Sequence, residues 1–101
     1  MSSSDIVFLN DDFTCYRFKN ESPDEMRIKE EVTIDAIQFH FILKSKGQFF
    51  FNEEGYVMDI SAESGLILYN PQKILPMDII LKQGAFLISL VISKRSFLAT
   101  L

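Results

Sequence analysis

Gln38-Phe-His-Phe-Ile-Leu-Lys-Ser-Lys-Gly-Gln-Phe-Phe-Phe51 holds two apolar segments on either side of a polar turn. β-Branched and aromatic side chains fill both segments, which is typical of strands. The turn, Lys44-Ser-Lys-Gly47, predicts a hairpin in which Gly47 takes a positive φ. Five rings would then meet across that hairpin and pack in the core, with a share in a ligand pocket or dimer face as the alternative. They are Phe39, Phe41, Phe49, Phe50 and Phe51.

The same strand pattern continues along the chain in both directions, with turn residues about every eight to twelve positions. Strands are predicted at residues 6–9, 14–19, 26–43, 49–51, 56–60, 66–69, 77–81 and 86–92. The long third segment should be bent or interrupted near Glu30-Glu31. Ser93 predicts the N-cap of a short terminal helix. The prediction is one all-β domain over residues 1–101, a small barrel or jelly roll of about eight short strands with a short C-terminal helix.

The spacing of Gly65 and Pro71 in Gly65-Leu-Ile-Leu-Tyr-Asn-Pro71 resembles the second sequence block of cupin barrels. Gln38 lies where the first block has its glutamate, with Gly47 two residues later than the usual glycine. The resemblance then places the metal-ligand positions at Val32, Ile34, Gln38 and Pro76. None of these is a histidine or a carboxylate, which favours a barrel without metal, cofactor or catalytic residues.

Residues 37–101 also resemble the N-terminal regulatory domain of AraC-type transcription regulators. The resemblance rests on residues 39–44, on Leu68-Tyr-Asn-Pro-Gln72, on Leu75-Pro76 and on a strand that ends in Ile92-Ser93 before a helix. It implies a barrel that binds a small-molecule effector, forms a homodimer, or does both. DNA would be read by helix-turn-helix units in a C-terminal domain that these residues do not include.

Gln38 and His40 have the same parity on one predicted strand, so both should face the barrel interior. An amide and an imidazole in an apolar cavity could orient a small ligand. The alternative is that they satisfy each other, a backbone group or water in a filled core. Gln38, His40 and Tyr69 are the candidate ligand-binding residues.

The apolar residues of the terminal helix are the candidates for dimerisation. Phe97, Leu98 and Leu101 form one stripe on that helix. In the AraC-type family such a helix commonly pairs subunits. Packing against the sheet of its own chain is an equally open alternative.

Charge and cysteine content exclude several function classes. The net charge is −4, and without a clustered basic face direct binding to nucleic acid is not expected. The single cysteine, Cys15, cannot form an internal disulfide. Met1-Ser-Ser-Ser-Asp5 lacks the features of a signal peptide, and no apolar run is long enough to span a bilayer. A cytoplasmic protein without membrane partners is predicted.

Three functions remain open at this stage. The first is a non-catalytic effector-sensing or dimerisation domain of an AraC-type regulator. The second is a stand-alone small cupin that binds a metabolite. The third, which the missing metal ligands disfavour most, is a cupin enzyme such as an isomerase or a dioxygenase.

Overall fold

The computed structural model describes residues 2–51 and 55–100. Over these residues it contains nine strands and one helix: β1 (Ser2–Asn10), β2 (Phe13–Asn20), β3 (Met26–Val32), β4 (Ala36–Lys44), β5 (Lys46–Phe51), β6 (Tyr56–Ser61), β7 (Ser64–Leu68), β8 (Leu75–Leu81), β9 (Phe86–Ser93) and α1 (Lys94–Ala99). The predicted all-β class and terminal helix are confirmed.

The strands form two antiparallel sheets that pack face to face. Sheet one has the order β1-β2-β9-β4-β7, and sheet two has the order β3-β8-β5-β6. Alternate residues of each strand point between the sheets, as the pleat requires. The core they form contains Val32, Ile42, Phe49, Met77, Ile79, Leu81 and Leu87, each at most 1% exposed.

The predicted hairpin at residues 44–47 is wrong. β4 pairs with β7 and β9 in sheet one, whereas β5 pairs with β6 and β8 in sheet two, so the chain crosses between sheets here. Ser45 takes the positive φ, at 61°, and Gly47 lies within β5. A Cβ on Gly47 would lie 2.9 Å from the backbone oxygen of Ile80, so glycine is needed for the close approach of β8.

This crossover also separates the aromatic residues that were predicted to cluster. Phe41 lies on the outer face of sheet one and is 42% exposed, whereas Phe49 is fully buried between the sheets. The ring of Phe39 packs against Phe97 at 6.2 Å between centroids. The ring of Phe49 instead meets His40 edge-on at 5.0 Å.

Two further local features complete the comparison with the sequence. The interruption predicted near Glu30-Glu31 falls at residues 33–35, between β3 and β4. Gly65, just before the strand predicted at residues 66–69, lies within β7 beneath the ring of Phe41, where an added Cβ would come within 2.8 Å of the ring.

Helix α1 begins where the sequence predicts. The hydroxyl of Ser93 accepts a hydrogen bond from the backbone N–H of Ser96 at 3.1 Å, which satisfies one of the free donors at a helix start. Over residues 2–51 and 55–100, no helix has the length and apolar content to cross a membrane.

Candidate functional site

The candidate site begins with two polar residues on β4 that point between the sheets. Gln38 is 5% exposed and His40 is 3% exposed, which confirms that the two share the interior face. On the adjacent strand β9, Ser89 is the direct partner of His40 and is also 3% exposed. Three polar side chains therefore stand together inside an otherwise apolar sandwich.

These side chains form one directed chain of hydrogen bonds. The amide nitrogen Nε2 of Gln38 donates to the backbone oxygen of Glu31 at 2.7 Å. The amide oxygen of Gln38 therefore faces Nε2 of His40, 2.9 Å away, and must accept from it. This assigns the imidazole proton to Nε2. Nδ1 of His40 then accepts from the hydroxyl of Ser89 at 2.6 Å.

The imidazole of His40 is neutral at physiological pH. Burial lowers the pKa of His40 from its usual 6.5 to about 4, because the charged form loses its hydration. Both ring nitrogens have partners, so the neutral form costs little to bury. The arrangement matches the alternative stated from the sequence, in which Gln38 and His40 satisfy each other and a backbone group.

A small cavity lies against this chain. The centre of a water molecule can occupy about 20 Å³ of it, so the cavity has room for about one water. Both sheets contribute to its walls, sheet one through β2, β4 and β9 and sheet two through β3 and β8. The lining residues are Tyr16, Phe18, Glu30, Gln38, His40, Ile79, Ser89 and Val91.

The apolar pattern of β3 contains a signal for Glu30 that the prediction missed. Glu30 shares the inward face of β3 with Ile28, which packs on the core, and with Val32, which is 1% exposed. A carboxylate between two inward apolar residues breaks the pattern of the strand, and such breaks mark functional or strained positions. Because β3 is an edge strand, Glu30 stays exposed and lies at the mouth of the cavity.

Partial desolvation perturbs Glu30. Burial raises the pKa of the Glu30 carboxyl, and the neighbouring charge of Glu31 raises it further. Within the described residues, the Glu30 side chain has no hydrogen bond or ion pair to offset this cost. Glu31 lies on the opposite face of the strand and is exposed.

The other predicted site residues lie away from the cavity. Tyr69 follows β7, is 38% exposed and has the ammonium group of Lys94 6.0 Å from its ring centroid. It does not line the cavity of Gln38 and His40. Phe97 packs on Phe39 of sheet one, while Leu98 is 55% exposed. Leu101 lies outside the described residues.

The donors at this site do not suit a metal ion. His40 uses both ring nitrogens in hydrogen bonds. Over residues 2–51 and 55–100, no group of three histidine, cysteine or acidic side chains is arranged to hold a metal. Of the positions that the cupin resemblance assigns to ligands, Val32 is buried in the core and Ile34 is 47% exposed, so these side chains do not converge.

Comparison with known proteins supports the fold and nothing finer. No protein-family model and no curated protein matches the chain. It is similar to an RmlC-like cupin from Desulfovibrio desulfuricans, with 12% identity over 90% of this chain and 81% of that chain and a TM-score of 0.68. A cupin superfamily protein from Desulfitobacterium hafniense is 16% identical over 92% of this chain and 77% of that chain, with a TM-score of 0.64. KdgF from a Halomonas species is 13% identical over 92% of this chain and 78% of that chain, also with a TM-score of 0.64.

At these identities the likeness establishes the fold alone. The nine described strands, their two sheets and these neighbours define a small cupin-fold protein. The likeness does not tie the chain to AraC-type regulators. The regulatory assignment therefore rests on the sequence resemblance only.

Proposed function

We propose that this protein is a non-catalytic small cupin that binds a small metabolite between its two sheets. The observation that supports this function is the hydrogen-bond chain that runs from the backbone oxygen of Glu31 through the buried side chains of Gln38, His40 and Ser89 along one wall of a cavity. Small-molecule sites have this composition, an apolar pocket with a few fixed polar groups. The chain has the cupin fold, and the donors around the cavity offer no metal centre for cupin chemistry.

The cavity must enlarge to admit anything larger than about one water. Its inner wall is rigid, because Gln38, His40 and Ser89 are buried and hydrogen-bonded. Its mouth is not, since Glu30 is exposed and Tyr16 is only half-buried. Enlargement therefore comes from movement of side chains on β2 and β3 while the polar wall stays in place.

Ligand-induced stabilisation tests this function. A set of small metabolites would be screened by the shift in melting temperature of the wild type and of Gln38→Ala. A ligand of the cavity should stabilise the wild type and lose most of that effect in the variant. Gln72→Ala, in an exposed loop, is the matched control and should behave as the wild type. Equal shifts in Gln38→Ala and the wild type would remove Gln38 from the site.

One observation favours a second candidate, the dimerising regulatory domain of an AraC-type protein. Helix α1 is anchored on sheet one through Phe97 but leaves Leu98 exposed. An exposed leucine beside an apolar sheet face can serve as an interface between subunits. Analytical ultracentrifugation of the wild type and of Leu98→Asp tests it. A dimer that Leu98→Asp dissociates would support this reading, and a wild type that stays monomeric at high concentration would count against it.

A further inference from the structure

The polar atoms at the cavity are unequal in what they can still bind. Ser89 gives its hydroxyl hydrogen to His40, which leaves lone pairs on its oxygen. The carboxylate of Glu30 has no partner among the described residues. The two ring nitrogens of His40 are both occupied. What remains at the cavity is mainly hydrogen-bond acceptors, and one of them is negatively charged.

Aromatic rings stand beside these acceptors. Tyr16 and Phe18 both line the cavity, and their rings are nearly parallel, at 6° with centroids 6.3 Å apart. Aromatic rings attract cations through their electron-rich faces, most strongly where water is excluded. Among the described residues that line the cavity, His40 is the one basic residue, and burial keeps it neutral. An anion would thus meet a carboxylate and no positive charge.

We propose that the cavity binds a small primary ammonium ion, with its charge facing Glu30 and the rings of Tyr16 and Phe18 and an N–H donating to Ser89. The inference rests on the proposed function, because it names the ligand class of the same cavity. An ammonium group supplies the donors and the positive charge that the cavity lacks. A quaternary ammonium carries the same charge but has no N–H to give to Ser89.

Titration of the labelled protein by two-dimensional ¹H–¹⁵N NMR tests the proposal. Methylammonium chloride is the probe, with sodium chloride balancing the ionic strength, and methanol, acetate and tetramethylammonium are the comparison ligands. Saturable shifts at amides of β3, β4 and β9 are expected with methylammonium alone. Glu30→Gln should weaken this binding by at least about tenfold, because a charge-assisted hydrogen bond is lost.

Glu31→Gln is the matched control, since it removes the same charge from an exposed side chain one residue away and keeps the backbone oxygen that accepts from Gln38. Its affinity for methylammonium should stay within about twofold of the wild type. Equal affinity in Glu30→Gln and the wild type would overturn the proposal, as would methylammonium shifts no larger than those of sodium. Saturable binding of methanol or acetate without methylammonium would overturn the ammonium assignment and leave the small-molecule function standing. If no probe binds here and the metabolite screen also finds no ligand, both the ammonium proposal and the proposed small-molecule function are refuted.

Discussion

Ser89 and His40 face each other directly across strands β9 and β4, and the hydroxyl oxygen of Ser89 lies 2.6 Å from Nδ1 of His40. Cross-strand partners on one face of a sheet are close enough to bond side chain to side chain. Here the pair lies in the interior, so the bond fixes the position of the imidazole, while the amide oxygen of Gln38 fixes its tautomer. The site is therefore preorganised by the register of sheet one.

Removing the hydroxyl tests how much this pair contributes to stability. Ser89→Ala leaves Nδ1 of His40 as a buried acceptor without a donor, which costs about 1–3 kcal/mol. Urea unfolding at pH 7 would measure the loss of free energy of unfolding. Ser4→Ala, at an exposed position of edge strand β1, is the control and should change stability by less than about 0.5 kcal/mol. A Ser89→Ala variant as stable as this control would contradict the buried bond.

Acid should destabilise the protein through His40. The unfolded chain binds a proton near pH 6.5, whereas the pKa of His40 in the fold is about 4. The contribution of neutral His40 to stability is therefore fully present above pH 6.5, and it is lost as the pH drops from 6.5 toward 4. At pH 5 the free energy of unfolding should be about 2 kcal/mol lower than at pH 7, because pH 5 lies roughly 1.5 units below the pKa of the unfolded-state imidazole.

The comparison that isolates this effect is the difference in unfolding free energy between pH 7 and pH 5, in the wild type and in His40→Gln. The carboxyl groups titrate alike in both proteins, including Glu30, whose raised pKa acts with the opposite sign. The variant should lose most of the pH dependence of the unfolding free energy. NMR of the single imidazole provides the pKa directly. Identical pH dependence in the two proteins would contradict the assignment.

Glu30→Gln should make the protein slightly more stable at neutral pH. The raised pKa of Glu30 means that its ionised form is disfavoured by the fold, so stability falls as the pH rises through that pKa. Because the side chain is exposed, solvent screening limits the gain to less than about 1 kcal/mol. Glu31→Gln removes the same mutual repulsion without the desolvation. The melting temperature of Glu30→Gln should therefore exceed that of Glu31→Gln.

The features that the sequence predicted correctly depend on local patterns. Strand parity was enough to place Gln38 and His40 on the inner face, and the N-cap rule located the start of α1 at Ser93. What the sequence could not provide is which strands pair. Lys44-Ser-Lys-Gly47 has the composition of a hairpin turn, but the chain uses it to pass from one sheet to the other.

Ser89 and Glu30 were missed for different physical reasons. Ser89 lies on a strand that is otherwise apolar on both faces, and it becomes part of the site only because β9 pairs with β4 at His40. Glu30 falls at the bend or interruption that the sequence predicts near Glu30-Glu31. Its parity with Ile28 and Val32 places it on the inner face once the strand is taken to end at Val32. Ser89 therefore needed long-range pairing to be recognised, whereas Glu30 needed only the correct end of its strand.

Gly47 should tolerate substitution worse than a glycine with a positive φ. In Gly47→Ala the new methyl group meets the backbone oxygen of Ile80 at 2.9 Å and a side-chain carbon of Leu81 at 3.0 Å. A backbone atom cannot move aside cheaply, so a loss of about 2–3 kcal/mol is expected. Gly55→Ala has no neighbour within 4 Å and suffers only from its φ of 61°, at about 1 kcal/mol. Urea unfolding of both variants should give this order.

Asn20 should be the most sensitive polar residue for stability, because it ties the end of β2 to sheet two. It is fully buried, and its amide nitrogen donates to the backbone oxygens of Leu81 at 2.9 Å and Asp24 at 2.8 Å. Its side-chain oxygen accepts from the backbone N–H of Ser22. Asn20→Ala leaves backbone groups inside the protein without these partners. A loss of about 2–4 kcal/mol is expected.

The control for Asn20→Ala is Asn70→Ala. The side-chain oxygen of Asn70 accepts from the backbone N–H groups of Gln72 and Lys73, but in an exposed turn where water can replace it. Its loss should stay below about 1 kcal/mol. Denaturant unfolding of both variants provides the comparison. Equal losses would mean that Asn20 acts only as a local turn residue, since the bond to Leu81 between the sheets would then contribute nothing measurable.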